Sequence, residues 1–522
     1  MFRKPTERRV LQLLTVVAIC LFVAPFSWGQ KLAAQAKAPS SLSMAKMQLD
    51  RGDLESCEKN LWNILSAEPT NEQALVMLGA VRARQQRFAE AEALFRRVLQ
   101  LNPKSIAASR SLAASLVAQD RQDEAVHQYK ETIQLVPQDS GSKIELAGLD
   151  LARGDFADAL ATLNTIKSDP FPPSAVPLKA ASLLGMGRRS DAEGLLPLVR
   201  SSSRAALELA QVFVEGNDPD AALKSLSFIT LTAKSVAARV YYLKGRAYRE
   251  KSEMAAAMTS FRQALAADPK SAETLVAMSE VFAAQNKHAD SFEMLEQARV
   301  LAPDSLEVLR HIIVEAMQAG KNDKALTAAQ ELQGRSSELG DRYLVASVML
   351  QQKQYLPASH ILEDYTAQRP NDAKAFLGLG IAYLSLLRYS DARQALEHSL
   401  QLKPDLAETE YQFGILFAQQ GDRQEAIQHW ERAVALEPRH AQALFSLGTM
   451  YLEGGELEKA HNAFARSLAE DPNNMKTEYD LALVLNKLGN SREAKEHFER
   501  YRKMQGEEHS TNGNPPEAAD HP

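Results

Sequence analysis

Side chains that could carry out chemistry are scattered along this 522-residue chain. His429 and His440 are the closest pair of histidines and lie eleven positions apart, whereas a helical metal site usually places two histidines at i and i+4. The sequence also lacks an HExxH motif, an acidic calcium loop, a GxxxxGK[ST] phosphate loop and a GxSxG nucleophile turn. We therefore expect no metal, no other cofactor and no catalytic residue, and we predict that the protein is not an enzyme.

Charge and cysteine content exclude two further classes of protein. Lys and Arg total 60 against 66 Asp and Glu, a net charge of −6, whereas nucleic-acid binders depend on a basic surface. We expect no nucleic-acid partner. The chain has only two cysteines, Cys20 and Cys57, and Cys20 lies in an N-terminal apolar run. A framework of internal disulfides is therefore excluded.

The N-terminus has the pattern of an export signal. Four basic residues among the first nine precede an apolar run at 10–26, and Ser27 and Gly29 follow it as the small residues that signal peptidase reads. We predict a signal peptide at residues 1–29, with residue 36 as the latest cleavage position, and hence an exported, periplasmic or extracellular protein. An uncleaved anchor in the inner membrane is the alternative, since the run is near the lower length limit for crossing a bilayer.

Prolines recur along most of the chain at intervals of 34 residues. The series are Pro69, Pro103 and Pro137, then Pro269 and Pro303, then Pro370, Pro404, Pro438 and Pro472. A fixed period of this size indicates an array of repeats, each of which is one small supersecondary unit. Aligning the chain on the period places further residue types in columns.

Each column of this alignment has a physical reason. Apolar residues at repeat positions 4, 7 and 11 follow helical spacing and predict a first helix, A. A small residue at position 8, such as Gly245 or Gly414, lets a partner helix approach closely, and Gly or a polar residue near position 15 ends helix A in a tight turn. Alanine at position 20 marks the point where a second helix, B, crosses the first, and proline at position 32 closes helix B. One such hairpin cannot bury its own apolar face, so neighbouring hairpins must stack.

These columns resemble the tetratricopeptide repeat, whose pattern is W-x₂-L-G-x₂-Y, then A-x₃-F, then P. The repeat that starts at Ala441 carries this pattern as Leu447, Gly448, Tyr451, Ala460, Phe464 and Pro472. The resemblance covers residues 38–504, about fourteen repeats, and departs from the family because no repeat has Trp at position 4. It implies an all-α fold, a right-handed superhelical solenoid of antiparallel helix hairpins.

The repeats divide the predicted mature chain into segments. We predict an N-terminal array at 38–165, a C-terminal array at 238–504 and a disordered tail at 505–522. Residues 166–237 have lost most consensus residues and are rich in proline and serine. Two interpretations of this segment stay open: a hinge or change of pitch between the two arrays, or two divergent repeats that stack smoothly.

The resemblance also implies a binding surface. In arrays of this family helix A lines the concave face, and position 5 commonly points into it. From residue 339 onward this position holds Tyr343, Leu377, Tyr411, Phe445 and Tyr479. A row of aromatic rings suits an extended or helical peptide, because each ring offers apolar area and tyrosine adds a polar tip. The alternative is that position 5 is partly buried against the neighbouring hairpin.

Charged residues at the predicted groove positions balance from residue 339 onward. They are Lys374, Lys476 and Lys487 against Glu408, Glu453 and Asp480. This balance argues against recognition of an acidic tail. The family's carboxylate clamp needs Lys and Asn at positions 5 and 9 of one repeat, and the nearest pair, Arg310 with Val314, does not supply it.

The sequence as a whole predicts an exported scaffold or assembly factor that binds a protein or peptide in its concave groove. A periplasmic helper of polysaccharide or cell-envelope export is the alternative within the binding class. An enzyme with an unrecognised site in residues 166–237 is less favoured, because that segment has few carboxylates. Membrane contact is expected only through an uncleaved N-terminal anchor.

Overall fold

The computed structural model describes residues 41–511, and these residues form helices joined by short turns, with no strand among them. Their 28 α-helices pair in chain order into fourteen hairpins, which confirms the predicted all-α array. The predicted signal peptide at residues 1–29 lies outside the described residues. The chain divides into two bodies, Met1–Val281 and Phe282–Pro522.

Helix bounds follow the 34-residue period over most of the chain. The first fourteen helices are α1 Ser41–Arg51, α2 Leu54–Ala67, α3 Glu72–Arg84, α4 Phe88–Leu101, α5 Ile106–Ala118, α6 Gln122–Leu135, α7 Ser140–Arg153, α8 Phe156–Asn164, α9 Val176–Gly185, α10 Arg189–Glu193, α11 Ser203–Glu215, α12 Pro219–Leu226, α13 Lys234–Glu250 and α14 Met254–Ala267. The others are α15 Ala272–Ala284, α16 His288–Leu301, α17 Leu306–Gln318, α18 Asn322–Arg335, α19 Leu339–Gln351, α20 Tyr355–Gln368, α21 Ala373–Ser385, α22 Tyr389–Leu402, α23 Ala407–Gln419, α24 Arg423–Leu436, α25 Ala441–Glu453, α26 Leu457–Glu470, α27 Met475–Lys487 and α28 Ser491–Thr511. Odd-numbered helices are helix A of their hairpin and even-numbered helices are helix B.

The small residue at position 8 allows the two helices of a hairpin to pack closely. A Cβ atom added to Gly448 would lie 2.6 Å from a ring carbon of Phe464, and one added to Gly245 would lie 2.5 Å from the ring of Phe261. Real Cβ atoms do not approach other atoms this closely, so only glycine fits without displacing the ring. The predicted reason for this column is confirmed.

Position 15 turns the chain from helix A to helix B with a left-handed backbone. Six repeats use glycine there, as at Gly154 with φ +83°, which glycine adopts without steric cost. Six others use a residue with a side chain, among them Asn286 and Leu387 at φ +57° and +60°. Leu387 is the unexpected member, since the sequence predicts glycine or a polar residue at this turn.

Apolar side chains of neighbouring hairpins pack against one another within the second body. In the second body Leu362, Leu396 and Phe413 belong to one buried cluster that joins α20 to α23. Trp430 and Phe464 belong to the next cluster, which joins α24 to α28. Neighbouring hairpins of this body thus share a core, as an array of stacked repeats requires.

Residues 166–237 form two hairpins with shorter helices. In the first of them α9 has 10 residues and α10 only 5, and in the second α12 has 8. Short 3-10 helices at Pro173–Ala175 and Leu196–Val199 complete the segment, and each contains a proline, which cannot donate a backbone hydrogen bond. The division of the chain at this segment stays a prediction.

The last helix continues past the predicted start of the tail. Disorder is predicted from residue 505, whereas α28 runs to Thr511; the boundary of the tail stays a prediction. Gln505, Glu507 and Glu508 are good helix formers, and a terminal helix can continue without an apolar face. Residues 512–522 lie outside the described part.

No helix between residues 41 and 511 combines the length and the apolar content that crossing a membrane requires.

Candidate protein-binding groove

Successive A helices lie next to one another in the second body. α19 contacts α21, α21 contacts α23, and α25 contacts α27. Position 5 occupies the same place near the start of each of these helices, so its side chains form a row along the array. We call this row the candidate groove; its members are Tyr343, Leu377, Tyr411, Phe445 and Tyr479.

The first two members of the row differ in exposure, since Tyr343 is half-buried and Leu377 is buried. The ring centroid of Tyr343 lies 5.3 Å from that of Tyr365 in helix α20. Burial raises the pKa of Tyr343, and the nearby carboxylate of Asp372 raises it further. Leu377 is only 9% exposed. Leu377 therefore offers a ligand less surface than the sequence pattern alone suggests, whereas Tyr343 stays partly accessible.

Tyr411 lies between two repeats and is held from both sides. Its ring centroid is 4.9 Å from that of His440, which precedes the next helix A. Burial raises the pKa of Tyr411, while a hydrogen bond with Ser446 acts in the opposite direction. Trp430 Nε1 donates to the Tyr411 carbonyl oxygen at 3.1 Å. The contact with His440 limits the motion of the half-buried ring, which lowers the entropy cost of binding a partner.

Phe445 is half-buried at the equivalent place in the next repeat. Its ring centroid lies 5.7 Å from that of Phe464, in helix B of the same hairpin. Lys476 Nζ, from the following helix A, lies 5.0 Å from the centroid of the Phe445 ring, within the range of a cation–π interaction. This lysine thus has an aromatic neighbour in the candidate groove.

Tyr479 is the most exposed member of the row, at 39%. Its ring centroid lies 5.8 Å from that of Phe498 and 5.2 Å from that of Tyr501, both in the last helix. No further helix A follows its hairpin among the described residues, so nothing there covers its outer face. Together with Tyr411 and Phe445 it leaves three rings in succession at least partly accessible.

Two of the predicted groove carboxylates have neighbours that moderate their charge. His440 Nδ1 accepts from the backbone N–H of Ala443 at 3.3 Å, which leaves Nε2 to donate to Glu408 Oε2 at 3.3 Å. Burial raises the pKa of Asp480, and Lys476, one turn earlier on the same helix, lowers it. These contacts agree with a groove that presents little net charge.

Arg310, the residue that comes nearest to the clamp pattern, already forms an ion pair with Asp341. Its Nε and Nη2 donate to the two carboxylate oxygens of Asp341 at 2.6 and 2.8 Å. Ser336 Oγ donates to Asp341 Oδ2 at 2.5 Å. Burial alone would raise the pKa of Asp341, but these hydrogen bonds outweigh it and hold the pKa below its usual range. The pair joins α17 to α19 instead of facing a ligand.

Two buried pairs of Glu and His were not foreseen from the sequence. His429 Nδ1 lies 2.6 Å from Glu410 Oε2, and His497 Nδ1 lies 2.5 Å from Glu478 Oε2. In both pairs Glu holds position 4 of helix A, where the family pattern has Trp, and His holds position 23 of helix B. A search for histidines at i and i+4 misses such a pair, but the recurrence of Glu and His at the same two columns would have indicated it.

Among the described residues, the other side chains that could carry out chemistry have structural roles. No three His, Cys, Asp or Glu side chains between residues 41 and 511 are grouped so as to hold a metal ion. Cys57 is fully buried, and its Sγ donates to the carbonyl oxygen of Ala45 at 3.2 Å. Burial raises the pKa of this thiol, so Cys57 is the small packing residue that position 20 requires.

Stacked helix hairpins with a row of position-5 side chains define a helical repeat protein. A family model described as tetratricopeptide repeat matches residues 42–106, 76–140, 207–272, 346–407 and 411–474, more than half of the chain. A second model with the same description matches residues 142–165. The chain belongs to the tetratricopeptide repeat family. No individually curated protein matches the sequence.

Several solved structures match this chain at low sequence identity. The APC/C hetero-tetramer Cut9-Hcn1 is 15% identical over 89% of this chain and 94% of that one, with a TM-score of 0.44. A tetratricopeptide repeat protein from Parabacteroides merdae is 16% identical over 48% and 99%, with a TM-score of 0.44. MamA from Desulfovibrio magneticus is 22% identical over 33% and 97%, with a TM-score of 0.29. Likeness at this level says nothing about the partner of this chain.

Proposed function

We propose that the protein is an exported scaffold that binds a protein or peptide in the candidate groove. Arrays of this fold present extended binding surfaces made by successive repeats, which is consistent with an interaction scaffold. The observation that carries the proposal is the succession of Tyr411, Phe445 and Tyr479 at one repeat position, each at least partly accessible.

Aromatic contact rather than charge is the proposed source of affinity. Interface anchors are typically aromatic side chains in partly enclosed sites, and truncating one costs about 2 kcal/mol or more. Exposed charge pairs typically contribute about 0 to 1 kcal/mol and are screened by salt. The groove carboxylate Glu408 pairs with His440, and the charge of the half-buried Asp480 is offset by nearby Lys476, so a ligand gains little by pairing with either carboxylate.

A pull-down from an envelope fraction tests the proposal. The wild-type chain and the variant Tyr411→Ala/Phe445→Ala serve as baits in parallel. Tyr389→Ala is the matched control, because Tyr389 is also a half-buried tyrosine but lies on helix B. We expect a protein that is retained by the wild type and by the control and lost with the groove variant. If all three baits retain the same proteins, the groove is not the binding site.

The identity of the captured protein separates the two roles considered for the scaffold. A component of a polysaccharide or cell-envelope export system would favour the helper role. An unrelated assembly would favour the general scaffold.

Export is a separate part of the proposal and has its own support. The four basic residues and the apolar run before Ser27 are the features that favour it. Residues 1–40 fused to a reporter that is active only outside the cytoplasm should produce signal. A silent reporter with the fusion protein accumulating in the cytosol would contradict export, whatever the outcome for the groove.

A further inference from the structure

His440 connects a groove tyrosine to the repeat that follows it. The His440 side chain is 5% exposed, and its ring centroid lies 4.9 Å from that of Tyr411, with the two ring planes at 43°. Aromatic rings that are offset or tilted at such a distance attract one another. The hydroxyl group of Tyr411 forms a hydrogen bond with Ser446, on helix α25. The half-buried Tyr411 side chain is thus held by the next repeat both at its ring and at its polar end.

The same imidazole ring caps helix α25. The first turn of a helix leaves backbone N–H groups without partners, and the side chain just before the helix often accepts from one of them. His440 does so through Nδ1, which accepts from the Ala443 N–H at 3.3 Å. Nε2 then carries the proton and lies 3.3 Å from Glu408 Oε2, on α23. The neutral form of the ring therefore uses both of its nitrogens.

Other repeats cap the next helix A with residue types that ordinarily do not change charge near neutral pH. Asp139, Asp372 and Asn474 hold the position equivalent to His440, and each accepts from a backbone N–H in the first turn of its helix. Burial raises the pKa of Tyr343, at position 5, and the Asp372 carboxylate raises it further, which places that cap near a tyrosine of the row. His440 is thus a cap beside a groove tyrosine that a proton can alter.

Few charged groups surround the His440 ring. From α23 it faces Glu408, and its sequence neighbour Arg439 pairs with Glu470 of α26 at 3.6 Å. Glu437, after the end of α24, contacts His440 through its backbone carbonyl oxygen, which accepts from the His440 N–H at 3.0 Å. A proton on Nδ1 would place two N–H donors opposite each other and a positive charge at the N-terminus of α25, which the helix disfavours. The charged ring would instead be drawn to Glu408.

We propose that His440 is a positioning residue for the candidate groove, and that its neutral form holds Tyr411 in the orientation that binds a ligand. The inference rests on the proposed function, since it assigns a regulation of the same groove. Protonation breaks the cap at Nδ1 and displaces the ring, so Tyr411 loses the neighbour that limits its motion. Ordering the tyrosine then opposes binding. Histidine ordinarily titrates between about pH 5 and 8, so the groove binds more tightly in the upper part of this range.

Peptide binding as a function of pH tests the proposal. The probe is a groove-binding peptide from a displayed random library that has no histidine and an acetylated N-terminus, so that it does not itself titrate near neutral pH. Wild-type affinity should fall at least threefold between about pH 7.5 and 5.5. His440→Asn should keep the cap, as Asn474 does, but lacks the ring. This variant should bind at least threefold more weakly than the wild type at the higher pH and show no further loss at the lower one.

A second measurement needs no ligand. The full chain is labelled with 3-fluorotyrosine, and the Tyr411 signal is assigned as the one that disappears in Tyr411→Phe. In fluorine NMR this signal should shift over the same pH range in the wild type and stay in place in His440→Asn. If no peptide binds, the proposed function fails, and the fluorine titration still decides whether His440 positions Tyr411.

Two further histidine variants serve as controls, and circular dichroism at both pH values checks that each chain is folded. His461 is half-buried on helix α26, and His461→Asn should retain the wild-type pH profiles. His429→Gln should also retain them, because His429 pairs with Glu410 within its own hairpin. Loss of the pH dependence in His429→Gln but not in His440→Asn would overturn the proposal. A wild-type Tyr411 signal that does not move with pH would also overturn it, as would a His440→Asn chain that binds like the wild type.

Discussion

The regular 34-residue repeats and the irregular hairpins at residues 166–237 both bury apolar residues. The two regions differ in the length of the helices that do so. Between residues 373 and 470 every helix A has 13 residues and every helix B has 14. The irregular segment has helices as short as 5 residues, yet Phe213 and Val199 within it are 0% exposed. The comparison teaches that burial does not require the period. What the period adds is a matched pair of full-length helices at every junction.

Truncation of a core phenylalanine should separate the two regions most clearly. Phe464 is fully buried and packs against Gly448, so Phe464→Ala should lower the free energy of unfolding by about 3–5 kcal/mol. Phe228 in the irregular segment is half-buried beside Arg200, and Phe228→Ala should cost roughly 1 kcal/mol. Urea unfolding followed by circular dichroism measures both. Equal losses would mean that Phe228 is packed as tightly as Phe464 despite its exposure.

Crowding at position 8 should have the next largest effect. Gly448→Val places new atoms against the Phe464 ring and should destabilise the fold by about 1–3 kcal/mol. Gly148→Ala is the matched control, because an added Cβ there meets nothing within 4 Å. The control should be neutral or stabilise helix α7 by up to about 1 kcal/mol. The reverse order would contradict the close packing of helices A and B.

The Arg310–Asp341 pair gives a junction of regular repeats a defined pH dependence. The pKa of Asp341 is lowered in the folded state, so its stabilisation is fully present above the unfolded pKa of about 3.9 and is lost as pH falls through the lower folded value. At neutral pH, Asp341→Asn should cost about 1–2 kcal/mol, since Arg310 is partly exposed. Melting curves of wild type and variant should converge as the solution is acidified below about pH 3. A difference that stays constant down to that pH would show that the charge contributes nothing.

The smallest expected effect is a gain at the turn of one regular repeat. Leu387 has φ +60° and is 65% exposed, and a non-glycine residue in the left-handed region costs about 1 kcal/mol. Leu387→Gly should therefore raise stability by roughly that amount, less the entropy that glycine gives to the unfolded chain. Thermal melting checks the sign. A loss of stability would show that Leu387 packs more than its exposure suggests.

Much of the fold could be predicted from residues that act locally. Pro404 and Pro438 lie just after the ends of α22 and α24 and disfavour their continuation. Gly421 favours a left-handed turn, so the hairpins follow from the sequence. The Glu410–His429 pair was not predicted from the sequence, because its members are 19 positions apart and meet only after the hairpin forms.

The candidate groove was predicted less completely than the fold. Position 5 identifies the row, but the exposure of each member depends on what the next repeat contributes. Leu377 is covered, Tyr411 is flanked by His440, and Tyr479 is open because no hairpin follows within the described residues. One column of a repeat alignment cannot carry that information, since it depends on the neighbouring side chains in space.

Affinity of the groove for a defined ligand is the most direct test of this account. Peptides selected from a displayed random library on the wild-type chain are labelled, and their Kd is measured for wild type, Tyr411→Ala/Phe445→Ala and the control Tyr389→Ala. The groove variant should bind at least tenfold more weakly while melting within a few degrees of the wild type. Wild-type affinity should change little between about 0.1 and 0.5 M salt. The Debye screening length is about 10 Å at the lower concentration and shorter at the higher one, so a charge-dependent affinity would fall over this range. Unchanged binding by a correctly folded groove variant, or affinity that collapses with salt, would contradict an aromatic binding groove.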